Sequence, residues 1–535
     1  RHKVAVDDSD FLPGIVRDGN KGNHRKLIHS AWIASQKYQE ERDVGMQDVR
    51  KRLRTCHDCL PIDTIHVDED GSSWNVVTSP VTEPVHRTHP EWNASHQFKT
   101  DYIARNIPCV IRGLDKSHFA NISTQWRTKV RHPDDVKSDG NESQCQRQER
   151  MNHVDSENCV INTDWFRCAV GSDTLVPVRI DNASTHDIFS NGANNEHGGL
   201  DEDGRAQECE TRQIKLDDWI RQCKQQSQMY IDEPTNGMQI GYLKDWHLVQ
   251  YLMDKQNVHS TQNTVPSLYQ VPNFLERDVL NRFLTRYCDG GDYKFTYWGP
   301  AGSQTRLHSD VLHSFSWSYN VVGKKKWVFH VPTCHEREIN DAANDNEKSC
   351  FEVIQNTGEA IFVPSTWKHE VINLAETLSI NHNWITSANI DQTWDCLQVE
   401  ISAIEEEIEA WGVISNDDFE ARENMLRGCI GLNVTMFTLM TALEIVELMQ
   451  TIADVAVDEH EFDRLDGTGR LIEIFHFENI LRVVMRQPDI IQRLEAILDS
   501  QLYALEVGGF VKEVMEYTSI LKQCLFHFDD NHCHQ

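Results

Sequence analysis

Three short runs rich in apolar and aromatic residues, each closed by glycine or proline, mark the middle of the chain. Residues 293–298 read Tyr-Lys-Phe-Thr-Tyr-Trp before Gly299-Pro300-Ala301-Gly302. Residues 315–322 are apolar and aromatic up to Gly323, and 358–363 end at Pro364. Several short strands separated by Gly/Pro turns predict a pair of facing sheets, a sandwich or barrel, whose interior can hold a buried group. Upstream, the pattern from Phe98 predicts a short helix feeding an apolar strand at 107–113. A helix over 214–222, a strand over 238–246 and a helix over 273–286 follow. Beyond residue 390 the period changes. Trp394, Leu397, Ile401, Ile404, Ile408 and Trp411 recur at intervals of 3, 4, 3, 4 and 3, with Glu405, Glu406, Glu407 and Glu409 around them. That is one apolar stripe of a helix. Further amphipathic stretches cover 433–452 and 470–506, the latter interrupted at Pro488. The helices are expected to pack on the β core or to serve a homodimer. Residues 133–157 and 190–212 are charged, rich in Gly and Asn and without apolar period, and read as solvated insertions.

Charge narrows the partners. The 535 residues carry 52 Lys and Arg against 83 Asp and Glu, a formal charge of −31. Such acidity argues against direct nucleic-acid binding, which needs clustered Lys and Arg, and favours encounter with a basic protein segment. No run of about 18 apolar residues suggests a membrane span, and the first residues show no apolar signal-peptide core. The 15 cysteines are scattered, which suits reduced thiols and a cytoplasmic protein, with the nucleus as the other setting. Cys56 and Cys59 have the spacing of half a zinc site, but no second pair follows at ribbon distance.

The candidate chemistry lies at His308-Ser309-Asp310 and at His369 in Pro364-Ser365-Thr366-Trp367-Lys368-His369. Side chains two apart on a strand share a face, so His308 and Asp310 can grip one metal from the same side while His369 adds a third ligand. Two imidazoles and one carboxylate, with the remaining positions open, suit non-haem Fe(II) oxygenase chemistry. A His-x-Asp triplet alone also occurs on solvated surfaces; the surrounding strands give it weight.

Taken together, Gly299-Pro300-Ala301-Gly302-Ser303, His308-Ser309-Asp310, Ser314-Phe315-Ser316-Trp317-Ser318, Gly323-Lys324-Lys325-Lys326-Trp327 and Ser379-Ile380-Asn381-His382-Asn383-Trp384 resemble the JmjC-domain 2-oxoglutarate oxygenases. Tyr242-Leu243-Lys244-Asp245-Trp246-His247-Leu248 and the helical tail point within that family to the branch of lysyl hydroxylases acting on a translation termination factor. The resemblance spans roughly 83–520 and is strongest over 239–400. It implies an α+β fold: a double-stranded β-helix, the cupin-like JmjC barrel, with flanking helices and a C-terminal helical domain. The corresponding division is a polar N-terminal extension (1–80), an N-terminal JmjC part with polar insertions (81–270), the barrel core (271–390), the helical domain (391–525) and a tail (526–535).

The resemblance also implies Fe(II) on His308, Asp310 and His369, with 2-oxoglutarate as cosubstrate and dioxygen as oxidant. Lys325 would bind the far carboxylate of 2-oxoglutarate, Thr305 would assist it, and Tyr242 and Asn383 would line the same site. Thr305 lies three before His308, so the strand must begin or bulge between them. One position departs from the family: Arg306 stands where relatives usually carry proline, and strict alternation would turn it toward the metal. Three other readings stay open. The same chemistry on N-methyl-lysine would be demethylation, a barrel without turnover would be an interaction scaffold, and a zinc or manganese cupin would need the ligands but not Lys325.

Overall fold

The computed structural model describes residues 62–67, 73–77, 89–90, 98–129, 159–181, 210–232, 240–259, 268–275, 277–288, 291–332, 350–411 and 419–456, with Ile480 and Val483. The Cys56/Cys59 pair, the tail and nearly all of 470–506 lie outside the described residues.

Strands β1 (Asp63–Val67), β2 (Ser73–Val77), β3 (His89–Pro90), β4 (Cys109–Arg112), β5 (Arg127–Lys129), β6 (Cys159–Ile161), β7 (Leu175–Asp181), β8 (Glu210–Lys215) and β9 (Ile240–Trp246) precede the centre of the molecule. Helices α1 (Ala120–Gln125), α2 (Thr163–Ala169), α3 (Leu216–Asp232), α4 (Leu248–His259) and α5 (Val279–Tyr287) are interspersed with or follow them. The centre is β10 (Lys294–Gly299), β11 (Gln304–His308), β12 (Phe315–Val322), β13 (Lys325–His330), β14 (Cys350–Gln355), β15 (Ala360–Val363), β16 (Lys368–Asn373) and β17 (Thr377–Trp384). Helices α6 (Ile390–Trp411), α7 (Phe419–Ile430) and α8 (Val434–Ala456) close the described chain.

The eight central strands alternate between two antiparallel sheets. One holds the neighbours β15-β12-β17-β10 and the other β11-β16-β13-β14, so the chain switches sheets repeatedly. This winding is a double-stranded β-helix. The first sheet is extended on one side by β4, β1, β2 and β3 and on the other by β9, β7 and β8.

Alternation decides what faces inward. On β12, Phe315, Trp317, Tyr319 and Val321 join the large core outside the barrel, with Phe119, Trp126 and Phe166. Ser316, Ser318 and Asn320 therefore take the opposite, inner face. On β17, Leu378, Ile380 and Trp384 belong to that outer core, which leaves Ser379, Asn381 and Asn383 inside. One end of the interior is sealed by Trp327, Phe329, Phe351, Val353, Ile361, Val363 and Trp367. The barrel thus has an apolar floor and a polar wall.

Differences from the sequence-based expectation have local causes. Residues 62–67 fall in the stretch assigned to a polar extension, yet Ile62, Ile65 and Val67 are buried and β1 pairs in parallel with β4. Ile62, Ile65 and Val67, spaced by 3 and 2, are too few to show a period among polar neighbours. The second insertion ends earlier than expected, because β8 starts at Glu210 and forms the exposed, charged edge of the large sheet. The single helix expected over 273–286 is broken: a 3₁₀ turn at Asn273–Leu275 is followed by α5, whose N-terminus is capped by the Asp278 carboxylate accepting from the Asn281 amide.

The predicted stripe of α6 is largely internal. Trp394, Leu397, Ile404 and Ile408 share a core with Val279, Leu280, Phe283 and Leu284 of α5 and with Phe437, Met440 and Ile445 of α8. Among the described residues no single helix is long and apolar enough to cross a membrane.

Candidate active site

His308, at the end of β11, faces His369 of β16 directly across the strand pair. Between Thr305 and His308 the register slips by one residue, the β-bulge that the Thr305 spacing required. Asp310 lies just past the strand end. One ligand atom from each of His308, Asp310 and His369 comes within 4.8 Å of the other two.

The orientation of each group is fixed by its neighbours. His308 Nδ1 lies 2.8 Å from the Arg306 carbonyl, and His369 Nδ1 lies 3.0 Å from the Trp367 carbonyl. A carbonyl only accepts, so both Nδ1 atoms carry hydrogen and both Nε2 lone pairs remain for a metal. Burial, and then His369, lowers the His308 pKa to about 4, with Asp310 partly opposing. The imidazole is therefore neutral near pH 7, as a metal ligand must be. Asp310 is held at both oxygens: Ser316 Oγ donates to one at 2.7 Å and Asn383 Nδ2 to the other at 2.8 Å.

Lys325 opens β13 and is buried within the barrel. Its ammonium donates to Ser379 Oγ at 2.6 Å, and Asn381 Nδ2 donates to the same hydroxyl at 3.2 Å. Burial, reinforced by the charge of Lys244, lowers its pKa to about 7. An ammonium buried against a hydroxyl and near a second cation is costly, and an anionic ligand would suit this position. Ser318 Oγ and Asn320 Oδ1, on the same inner wall, are buried without a hydrogen-bond partner among the described residues. A ligand oxygen could accept from Ser318 Oγ, whereas Asn320 Oδ1 is an acceptor and needs a donor.

The remaining positions divide. Thr305 Oγ1 accepts from Lys244 Nζ at 3.1 Å. Tyr242 is buried and packs edge-on against Tyr297, and burial raises its pKa. Asn383 donates to Asp310 and to Ser314 Oγ, so its visible task is holding the ligand carboxylate. Arg306 lies in the bulged stretch, at the exposed mouth of the site. The bulge breaks the alternation on which its expected direction rested, and its carbonyl orients His308. Sequence reasoning missed Ser316, Ser379 and Lys244. The first two were legible as small polar residues alternating with Phe315, Trp317, Leu378 and Ile380.

Residues 295–354 match the family model described as JmjC domain, hydroxylase. Over those residues the chain is similar to a JmjC domain. The match includes His308, Asp310 and Lys325; His369 lies beyond it. Over 215 residues the chain is 35% identical to the 2-oxoglutarate and iron-dependent oxygenase JMJD4 of Mus musculus, covering 37% of this chain and 48% of that protein. Its likeness to the Homo sapiens protein of the same name is 34% over 243 residues, covering 42% and 55%. An Arabidopsis thaliana protein named arginine-specific demethylase JMJ20 is 36% identical over 230 residues, covering 37% and 47%. The chain spans about half the length of the curated relatives it matches.

Proposed function

We propose that this chain is an Fe(II)- and 2-oxoglutarate-dependent protein oxygenase that hydroxylates a carbon of a lysine side chain in a translation termination factor. The observation that carries the oxygenase reading is the pairing of two sites in one barrel: the His308, Asp310 and His369 donors, and the buried Lys325 ammonium. The donor set suits a hard-to-borderline divalent metal with open positions. The ammonium and its polar wall suit a dicarboxylate. A zinc or manganese cupin of another reaction class would have no use for a cation at Lys325.

Bound together, the metal, 2-oxoglutarate and dioxygen supply an oxidant that inserts oxygen into a C–H bond, with succinate and carbon dioxide released. The chain's own residues orient and enclose. Arg306 and Trp367 carbonyls set the two imidazoles, Ser316 and Asn383 set the carboxylate, and Lys325 and Ser379 receive the cosubstrate's far end. The apolar floor around Trp327 and Phe329 excludes water from one side. Nothing here requires a separate general base.

The finer substrate reading rests on the family resemblance, on similarity to proteins named JMJD4, and on the charge of −31, which suits a basic target segment. A second reading is N-demethylation, favoured by the similarity to the protein named arginine-specific demethylase.

Succinate release by the full chain with Fe(II) and 2-oxoglutarate, followed by mass spectrometry of candidate protein substrates, tests the proposal. A gain of one oxygen on lysine supports hydroxylation. Loss of a methylene equivalent from a methylated residue supports demethylation instead. Turnover that survives His308→Ala or Asp310→Ala would refute the metal site.

A further inference from the structure

Lys244 has no place in the ligand set described above, yet its ammonium lies at the cosubstrate wall. It donates to Thr305 Oγ1 at 3.1 Å and sits 5.6 Å and 5.5 Å from the ring centres of Tyr242 and Tyr297. The local backbone is shaped to put it there. Between β9 and β10 the pairing slips by one residue, and Asp245, next to Lys244, adopts φ 54°. A non-glycine residue in that region marks a bulge that re-aims its neighbours. Asp245 in turn accepts from the Tyr297 hydroxyl at 3.0 Å, which fixes the ring beneath the ammonium.

Register ties this group to Lys325. Tyr297 of β10 is directly opposite Ser379 of β17, the residue whose hydroxyl receives Lys325. Side chains directly opposite on paired strands are close neighbours. The two ammonium groups therefore flank one short polar wall, one anchored on Ser379 and the other on Thr305. Their mutual repulsion helps to lower the Lys325 pKa. A carboxylate placed between them would relieve that repulsion.

We infer that Lys244 is a second cation of the anion site, binding the far carboxylate of 2-oxoglutarate jointly with Lys325 and Thr305. This rests on the oxygenase reading. Lys244 is a binding residue here, with no part in the bond-making step. Its contribution is a charge-assisted hydrogen bond, of the order of 1.5–3 kcal/mol, equivalent to roughly 10- to 150-fold in affinity.

The test is isothermal titration of 2-oxoglutarate, and of 2-oxobutanoate, which lacks the far carboxylate, into the full chain loaded with Mn(II). Lys244→Met is expected to weaken 2-oxoglutarate at least ~10-fold while leaving the weaker 2-oxobutanoate unchanged. Lys244→Arg, which keeps the charge, is expected to recover part of the loss. Equal affinities of wild type and Lys244→Met for 2-oxoglutarate would overturn the inference. So would an equal loss for both ligands in both variants, which would make Lys244 a general support of the fold. Wild type that binds no 2-oxoglutarate would retire the oxygenase reading itself. Wild-type binding that is lost in Lys325→Met but not in Lys244→Met would retire only the role of Lys244.

Discussion

At the scale of single residues, the site depends on placing charge where water cannot help. Lys325 is the clearest case, with an ordinary lysine pKa of 10.5 lowered to about 7 by burial and by Lys244. A bound dicarboxylate would raise it again, so binding above neutrality must draw a proton from solution. We expect the affinity for 2-oxoglutarate to fall as pH rises above about 7, with uptake approaching one proton per site near pH 9. Calorimetry in buffers of different ionisation enthalpy measures this directly. Lys325→Met should bind weakly and without that uptake, whereas a flat wild-type affinity from pH 6.5 to 9 would contradict the account. The same shift bears on stability. Between about pH 7 and 10.5 the unfolded chain holds a proton that the folded, unliganded chain lacks. The contribution of Lys325 to stability therefore rises with pH across that window. The three candidate metal donors were legible because His-x-Asp and a later His are written in the sequence, and the structure brings them together. Ser316 was legible only as an inward polar position; that it and Asn383 donate to Asp310 was not, since such a hydrogen bond leaves no mark of its own.

At the scale of elements, irregularities set the site as much as regular strands do. Two bulges aim functional groups: one before His308 and one at Asp245. Alternation reads a strand correctly only while the register holds. It holds along β12, where Ser316, Ser318 and Asn320 share one face, and breaks at the bulge that contains Arg306. The spacing of Thr305 from His308 announced that bulge; nothing comparable announced the one at Asp245. Turn chemistry was more readable. Gly323 ends β12 as its sequence suggested, and its φ of 101° is a conformation that side chains rarely adopt. A Cβ there would meet the Glu376 carbonyl oxygen at 2.4 Å and the Thr377 hydroxyl at 2.6 Å. Gly323→Ala is thus expected to lower stability by about 2–3 kcal/mol, read as a reduced melting temperature. Lys325 follows two residues later, while His308 and Asp310 come from another strand end. The variant should consequently lose 2-oxoglutarate affinity more than metal affinity. Equal losses would mean that the turn does not act through Lys325.

At the scale of the whole molecule, the barrel and the helices after it are joined by more than chain connectivity. The helical stripe was legible from its period alone, but its partner was not, because a sequence period shows a buried face without showing what covers it. The structure buries the stripe in a shared core with Leu312 of the turn after β11, with α7 and α8, and with α5, a helix preceding the barrel in the chain. An ionic clamp reinforces the contact. Glu444 of α8 is buried at 1% exposure and is paired with Arg277 and Arg282 from the start of the α5 segment. Arg277 itself has φ 70°, so the clamp also restrains the break between the 3₁₀ turn and α5. Removing the carboxylate leaves two guanidinium groups facing each other at the edge of an apolar core, both partly exposed and hence partly rescued by water. Glu444→Ala is expected to cost roughly 2–3 kcal/mol, below the full loss for a wholly buried pair. Since α5 also donates its backbone to the barrel at Val279, whose amide binds the Ile385 carbonyl, the loss should spread to both parts. Thermal unfolding followed by far-ultraviolet circular dichroism and by release of bound Mn(II) should still coincide, at a lower temperature. If the helical signal melted first while the metal stayed bound, the helices would be an independently folding unit and the shared core between them and α5 would contribute little to cooperativity.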